Sequence, residues 1–272
     1  MTWRVVARKE FTDAVRARVL WAIVAVIGLL TAGIVVATRF IPGIQPRPQV
    51  GLGAATEFAA ILVPILSLVA AYLAIAGERE SGSMKVLLGL PPSRWEVLVG
   101  KFLGRGAVVA VGVALGFAIA GVGTAVAYGS VPLAAFAAST LLTAALGVVF
   151  VGIAVGISAA TSTRARAMTG SIATYLVFVL LWDLLPQGLY FLLHGQPPAD
   201  TVPGWFLGLQ ALSPPGAYSG LIAAALAGPG WAARLSGPRP VYLEPWFLGA
   251  LLVAWTLLPL LAGYRRFERA DL

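Results

Sequence analysis

The sequence predicts an all-α, polytopic membrane protein with six transmembrane helices, an N-terminal interfacial elbow helix and a short cytoplasmic helix between spans 2 and 3. Hydrophobic residues make up 59% of the chain and charged residues 11%, with a mean hydropathy of +0.90. Soluble globular proteins carry about 25% charged residues, so this composition excludes a soluble domain. Six apolar segments are long enough to cross about 30 Å of hydrocarbon as helices.

The predicted spans are separated by polar segments or by segments rich in Pro and Gly. Residues 193–245 contain half of the chain's 18 prolines. Within them, 205–212 and 216–228 are apolar but too short to span, so we expect re-entrant or interfacial helices there. We find no internal repeat and expect residues 1–272 to form a single transmembrane domain. The six spans are predicted at 19–37, 57–76, 106–127, 134–160, 169–192 and 246–264.

Lysine and arginine are distributed unevenly between the two sides of the predicted bundle. Of 19 such residues, 15 fall in the N-terminal leader, the loops after spans 2 and 4 and the C-terminal tail, and 4 fall in the other loops. Because cytoplasmic segments carry the excess of Lys and Arg, we expect a multi-pass plasma-membrane protein with both termini in the cytoplasm. Residues 77–105 are then cytoplasmic and 193–245 extracytoplasmic. The net charge of +8 follows from this bias, and we expect no nucleic-acid partner.

The leader, residues 1–18, is predicted to form an amphipathic elbow helix. Trp3 and Phe11 lie on its apolar stripe, and Arg4 and Arg8 lie on the polar side. A helix with this pattern lies in the interface of the lipid bilayer. Two compatible roles are open: an anchor that sets the topology, and an elbow that also touches a cytoplasmic partner.

A dense polar stretch, GERESGSMKVLLGLPPSRWEVLVGK, occupies residues 77–101 between spans 2 and 3. Gly82 is expected to break the preceding helix, and the segment 84–88 to form a short helix that ends before Pro91. Ser93 followed by Glu96 is a capping box, which predicts that a new helix starts there and runs into span 3. The stretch is either a solvated loop that sets the topology or an ordered cross-helix that transmits force.

The same stretch resembles the loop between the second and third spans of type-2 ABC export permeases. Residues 7–11, ARKEF, are similar to the N-terminal elbow of that family. Residues 213–218, SPPGAY, are similar to a small motif of one subgroup, which includes the permease of nitrous oxide reductase maturation. The matching loop positions are Glu78, Arg79, Glu80, Gly82, Ser83, Met84, Lys85, Leu87, Leu88, Pro91, Ser93, Arg94, Gly100 and Lys101.

The resemblance implies a permease subunit that works with two ABC ATPase subunits and a second permease copy, as a homodimer or heterodimer. The short helix would then be a coupling helix that docks on the ATPase together with the elbow. The sequence itself has no G-x-x-x-x-G-K-[ST] run, so ATP and magnesium are expected in the partner ATPase and no cofactor on this chain, which is not expected to be an enzyme. The implied ATPase contacts are Glu78, Arg79, Glu80, Gly82, Ser83, Met84, Lys85, Leu88, Pro91 and Arg94.

Asp183 is a carboxylate well inside a predicted span, where an unpaired charge costs at least about 2.5 kcal/mol. It would either line a substrate path or play a structural role near Pro186. The chain has no cysteine and a single histidine, and we find no catalytic pair and no metal-ligand spacing. Two other classes stay open at this stage: an ATP-independent secondary transporter or channel, and a membrane scaffold that transmits force without transporting.

The small residues of spans 3 and 4 recur at four-residue spacing, with Gly112 and Gly116 in one and Gly152 and Gly156 in the other. Small residues so spaced allow close helix approach. Either packing within the chain or a dimer seam would use them.

Overall fold

The computed structural model describes residues 3–42, 47–82, 93–226 and 233–270, which are almost entirely helical. Across these residues no β-strand forms, and one isolated β-bridge joins Val202 to Leu235. The elements in chain order are the elbow helix Trp3–Arg16, span 1 Val19–Ala37 with a 3₁₀ turn Thr38–Phe40, span 2 Pro48–Ala71 with its extension Ala76–Glu80, span 3 Arg94–Tyr128, span 4 Leu133–Ala160, span 5 Arg164–Tyr175 with a π-helical turn Leu176–Leu181 and then Leu184–His194, short helices Gly204–Ala211 and Pro214–Ala225, a 3₁₀ turn Val241–Leu243, and span 6 Pro245–Glu268.

The all-α membrane architecture predicted from the sequence is confirmed. Five helices of the described chain are long and apolar enough to cross a membrane, and Arg164–Leu181 with Leu184–His194 form a further span bent by 43°. The bend follows the π-helical turn and precedes Pro186, whose ring cannot donate the regular helical hydrogen bond. Counting this bent pair as one span gives the six predicted spans.

Close packing within the chain uses the small residues of spans 3 and 4. A Cβ atom added at Gly116 would lie 2.8 Å from a side-chain carbon of Ile27 in span 1. A Cβ added at Gly156 would lie 2.3 Å from the carbonyl oxygen of Pro259 in span 6. These contacts need glycine, and they assign the small-residue rows to packing between spans of one chain.

The two terminal helices and the helix ends that flank residues 83–92 meet at the same end of the bundle. The elbow helix is joined to span 3 by the Lys101–Glu10 ion pair. The end of span 6 is joined to the start of span 3 by Arg94. We call this end basal and the opposite end apical. The basal end is the one that the charge distribution predicts to be cytoplasmic.

At the apical end, the two short apolar helices expected near 205–212 and 216–228 are present at Gly204–Ala211 and Pro214–Ala225. The second packs against spans 2, 4 and 6. Its buried Tyr218 hydroxyl lies 2.9 Å from the Thr143 hydroxyl of span 4 and donates to the Thr56 carbonyl of span 2. This helix therefore penetrates between the spans.

Candidate functional site

Two helical stems hold the loop between spans 2 and 3 at the basal end. The first stem is Ala76–Glu80, and the second is the start of span 3, residues 94–105. Gly82 has a φ of 76°, which fits the expected helix break. The predicted capping box is confirmed: Glu96 N–H donates to the Ser93 hydroxyl at 3.2 Å, and the Glu96 carboxylate accepts from Ser93 N–H at 2.9 Å. The predicted helix over 84–88 lies outside the described residues, as do Ser83, Met84, Lys85, Leu88 and Pro91.

Lys101 joins both stems to the elbow helix. Its ammonium group donates to Glu10 of the elbow at 2.6 Å and to Glu78 of the first stem at 2.7 Å. Lys101 is 1% exposed and Glu10 is 4% exposed. Arg105, one turn further along span 3, donates to the other Glu10 oxygen at 2.7 Å and to the Ala70 carbonyl of span 2 at 3.0 Å.

Glu10 is ionised in this buried group. Burial alone would raise the pKa of its carboxyl group. The positive charges and hydrogen bonds of Lys101 and Arg105 outweigh burial, so the pKa of Glu10 lies below its usual value. Two acids and two bases, Glu10, Glu78, Lys101 and Arg105, thus form a charge-balanced cluster, which we call the stem cluster.

The first stem also contacts spans 4 and 5. Arg79 donates to the Thr161 carbonyl at 2.9 Å, just beyond the end of span 4. The Ser158 hydroxyl of span 4 accepts from the backbone N–H of Ala76 at 2.9 Å, at the start of the stem. The Glu80 carboxylate accepts from the backbone N–H of Arg164, the first residue of span 5.

The second stem contacts the end of span 6. The Nη1 of Arg94 donates to the carbonyl oxygens of Phe267 and Glu268 at 2.6 Å each and to that of Ala270 at 3.0 Å. The guanidinium group also lies 5.6 Å from the centre of the Phe267 ring. Beside it, the rings of Trp95 and Tyr264 meet edge to face at 5.1 Å.

The elbow helix packs on span 3 through a stripe that the sequence pattern described incompletely. Its buried residues are Val6, Glu10 and Ala14, and the Val6 side chain faces Gly100 of span 3. Glu10 was not among the predicted site residues, although its four-residue spacing from Val6 and Ala14 places an acid on the packed face.

Of the four elbow residues singled out from the sequence, Trp3, Arg4 and Arg8 lie on the exposed side of this helix, whereas Phe11 packs against the core. Trp3 is 38% exposed and the Arg4 guanidinium lies 5.4 Å from the centre of its ring. Arg8 is exposed and Phe11 is half-buried.

Asp183 lies at the bend of span 5, far from the stems. It is exposed in the single chain and has two polar neighbours from apical segments. The side chain of Gln210 and the positive charge of Arg234 lie nearby. The sequence offers no basic residue within the spans as a partner for Asp183, and the nearby Arg234 belongs to the apical segment.

A cavity of about 290 Å³ lies between spans 2 and 5. It is lined mainly by apolar side chains, with hydroxyl groups from Tyr72, Ser171 and Tyr175. The Ser171 hydroxyl is buried and has no hydrogen-bond partner among the described residues.

A six-span bundle with both chain ends and a braced loop at one end is the layout of a transporter permease, a class of multi-pass membrane protein. Within that class, the chain belongs to the ABC-2 family: the family described as "ABC-2 family transporter protein" matches residues 4–272. The chain is similar to the "Probable ABC transporter permease protein NosY" of Stutzerimonas stutzeri, with 31% identity over 97% of each chain. It is also similar to the protein of the same description from Pseudomonas aeruginosa, with 32% identity over 96% of each chain. The family resemblance inferred from residues 78–101 is thereby confirmed.

Proposed function

We propose that this chain is the membrane subunit of an ATP-driven exporter and couples ATP hydrolysis on a separate ATPase to movement of its spans. Membership of the ABC-2 family supports an ATP-driven permease over the ATP-independent transporter or channel. The observation that carries the coupling role is the bracing of the loop between spans 2 and 3. Its two stems contact the elbow and the basal ends of spans 4, 5 and 6, so displacement of the loop is passed to several spans at once.

The proposed assembly contains two ABC ATPase subunits and two permease copies, identical or different, in the plasma membrane. ATP and magnesium bind to the ATPase, because the sequence has no phosphate-binding loop of the G-x-x-x-x-G-K-[ST] type. The charge distribution supports an orientation with the basal end in the cytoplasm, where ATP is available.

The proposed docking surface is the loop itself, with help from the elbow helix. Of the ten predicted contact residues, Glu78, Arg79, Glu80 and Arg94 already have partners within the chain. Docking would therefore rely on the residues between the stems, such as Lys85 and Leu88. A cation and an apolar side chain suit a partner groove with an apolar floor and an acidic rim.

Co-purification of the tagged chain with its ATPase tests this function. We expect the unsubstituted chain to retain the ATPase. A Lys85→Glu/Leu88→Asp variant should retain at least about tenfold less ATPase, because the glutamate introduced at position 85 would repel the acidic rim and the aspartate introduced at position 88 would lose its water in the apolar groove. Arg39→Glu, an exposed apical substitution, is the matched control and should retain the ATPase. A loop variant that retains the ATPase as well as the control does would refute docking by the loop. Failure of the unsubstituted chain to bind any ATPase would refute the function as a whole.

The proposed substrate path runs beside spans 2 and 5. The cavity between them supports a largely apolar substrate with one hydrogen-bonding group, because apolar walls surround a few hydroxyls. Asp183 would lie further along span 5, on the apical side of that cavity. Asp183→Asn separates its two roles: a path residue changes substrate-stimulated ATPase activity at constant melting temperature, whereas a structural residue lowers the melting temperature.

A further inference from the structure

We propose that Arg94 and Glu80 are transmission residues, through which the loop moves spans 6 and 5 respectively, and are not part of the surface that binds the ATPase. This inference rests on the proposed function, because it requires an ATPase that displaces the loop. It assigns different spans to the two stems. It also gives a specific task to two residues that the family resemblance implies as ATPase contacts.

Arg94 is built to hold the end of span 6. The last carbonyl groups of a helix have no donors within that helix and carry partial negative charge. Arg94 donates to the carbonyls of Phe267 and Glu268, the last two residues of the span 6 helix, at 2.6 Å each, and to that of Ala270 just beyond it at 3.0 Å. Its guanidinium lies over the fully buried ring of Phe267. Arg94 is also the first residue of the span 3 helix, and the capping box fixes the backbone there. The second stem therefore grips span 6 through a short and rigid connection.

Glu80 is built to hold the start of span 5. The first N–H groups of a helix have no acceptors within that helix and carry partial positive charge, which favours a carboxylate. Glu80 is the last residue of the first stem and accepts from the N–H of Arg164, the first residue of the span 5 helix. A neighbouring cap completes this helix end, since Thr163 accepts from Arg166 N–H at 3.3 Å.

Spans 5 and 6 are suited to being moved from their basal ends. Only 22% of the apolar stretch of span 6 is buried within the chain, compared with 61% for span 4. Span 5 leaves a continuous apolar face uncovered, including Leu180, Leu185 and Leu193. Span 6 packs tightly on span 4 at Gly156 and Gly263, so we expect it to turn about this one-sided seam, a movement that costs less than shifting a span enclosed by neighbours.

The inference can be tested by measuring distances between spin labels in the complete complex of permease and ATPase in lipid nanodiscs. The chain contains no cysteine, so engineered cysteines are its only labelled sites. One label pair joins Leu141 of span 4 to Arg266 of span 6, and the other joins Leu141 to Ala165 of span 5; all three side chains are exposed. One permease copy per complex is labelled, and each distance is measured with and without ATP and vanadate.

We expect a crossed pattern of losses. In the unsubstituted complex ATP changes both distances. Arg94→Ala abolishes the change at Arg266 and leaves the change at Ala165, whereas Glu80→Ala does the opposite. ATPase binding stays within about twofold of the unsubstituted complex in both variants.

Conservative variants separate transmission from folding. Glu80→Gln keeps a carbonyl oxygen that accepts from Arg164 N–H, and Arg94→Lys keeps a cation that donates to carbonyls, so both should retain the movements. Arg265→Ala removes an exposed charge from the same end of span 6 and is the matched control. If the permease chain with Arg94→Ala or Glu80→Ala fails to fold on its own, Arg94→Gln and Glu80→Ser replace them with the same crossed expectation.

Three results would overturn the inference. Loss of ATPase binding in Arg94→Ala or Glu80→Ala would make them docking residues. Retention of both movements in both variants, or loss of both in each, would remove the one-to-one assignment. If the unsubstituted complex shows no ATP-dependent change in either distance, the proposed function fails and the inference fails with it. This result appears before any substitution is made, so it is distinguishable from failure of the inference alone.

Discussion

Lys101 carries a charge in a nearly water-free position, where two carboxylates from different helices compensate it. A buried charge that loses its partner costs far more than the pair contributes. The same logic applies to Glu10, which faces two cations and has a depressed pKa. At this scale the stem cluster is a set of mutually dependent charges, so single and double substitutions have different consequences.

Substituting Lys101 alone should therefore destabilise the protein more than substituting Lys101 and Glu10 together. Lys101→Met leaves Glu10 buried beside one cation only and should cost about 3–5 kcal/mol. The double variant Lys101→Met/Glu10→Gln should recover part of this loss, because no charge is left at either buried position. Thermal unfolding followed by the fluorescence of the eight tryptophans measures both, with exposed Lys9→Met as the control. Equal losses in the single and double variants would contradict the coupling between these charges.

The contribution of Glu10 should depend on pH in the acid range. Its pKa in the folded protein lies below the usual value of 4.5, so its stabilising effect is fully present above about pH 4.5. It is lost as the pH falls through the folded-state pKa, where protonation removes the attraction to Lys101 and Arg105. The melting-temperature difference between the unsubstituted chain and Glu10→Gln should be constant from pH 7 to 5 and shrink below that. A difference that grows on acidification would show the opposite linkage.

The sequence predicted the presence of charged residues in this region but not their partners. Glu78, Arg79, Glu80 and Arg94 were assigned to an ATPase surface by resemblance. No local pattern reveals that the partners of Arg79, Glu80 and Arg94 are span ends more than 80 residues away in the chain. Glu10 could have been identified, because an acid on the packed stripe of an amphipathic helix requires a cation opposite.

At the scale of elements, spans 4 and 6 are packed with almost no space between their backbones. A Cβ added at Gly263 would lie 2.2 Å from the Gly156 carbonyl oxygen, which cannot yield without moving a helix. The sequence predicted the spans, the short apical helices, the capping box and the small residues at helix contacts, and the structure confirms them. Each of these features depends on a local sequence pattern. It did not predict that span 2 begins at Pro48, because the Pro and Gly residues there are typical of a loop. It did not predict the π-helical turn of span 5, because residues 176–181 are uniformly apolar and show no periodicity.

Enlarging Gly263 should separate spans 4 and 6. Gly263→Ala forces the Cβ against backbone and should destabilise the protein by about 1–3 kcal/mol despite the higher helix propensity of alanine. Gly249→Ala, in the same helix, meets nothing within 4 Å and should be neutral or slightly stabilising. Melting temperatures of the two variants in the same lipid give the comparison. Equal effects would mean that the spans separate in solution more than the structure shows.

At the scale of the whole molecule, both chain ends and the braced loop share one end of the bundle, and the two short apolar helices occupy the other. The fold thus separates a basal end built from charged contacts from an apical end built from aromatic and hydroxyl contacts, such as Tyr218 with Thr143. The orientation of these two ends is set when the chain inserts into the membrane. The 15 to 4 distribution of Lys and Arg predicts that the basal end faces the cytoplasm.

That orientation is open to a direct labelling experiment, because the chain has no cysteine. Single cysteines at exposed Gln196 and Arg239 report the apical end, and a single cysteine at exposed Arg266 reports the basal end. In intact cells a membrane-impermeant maleimide should label the two apical sites and not Arg266→Cys, whereas permeabilised cells should label all three. The permeabilised sample is the control for reactivity of each site. Labelling of Arg266→Cys in intact cells would place the stems on the side without ATP, and would remove the physical basis for coupling through the loop between spans 2 and 3.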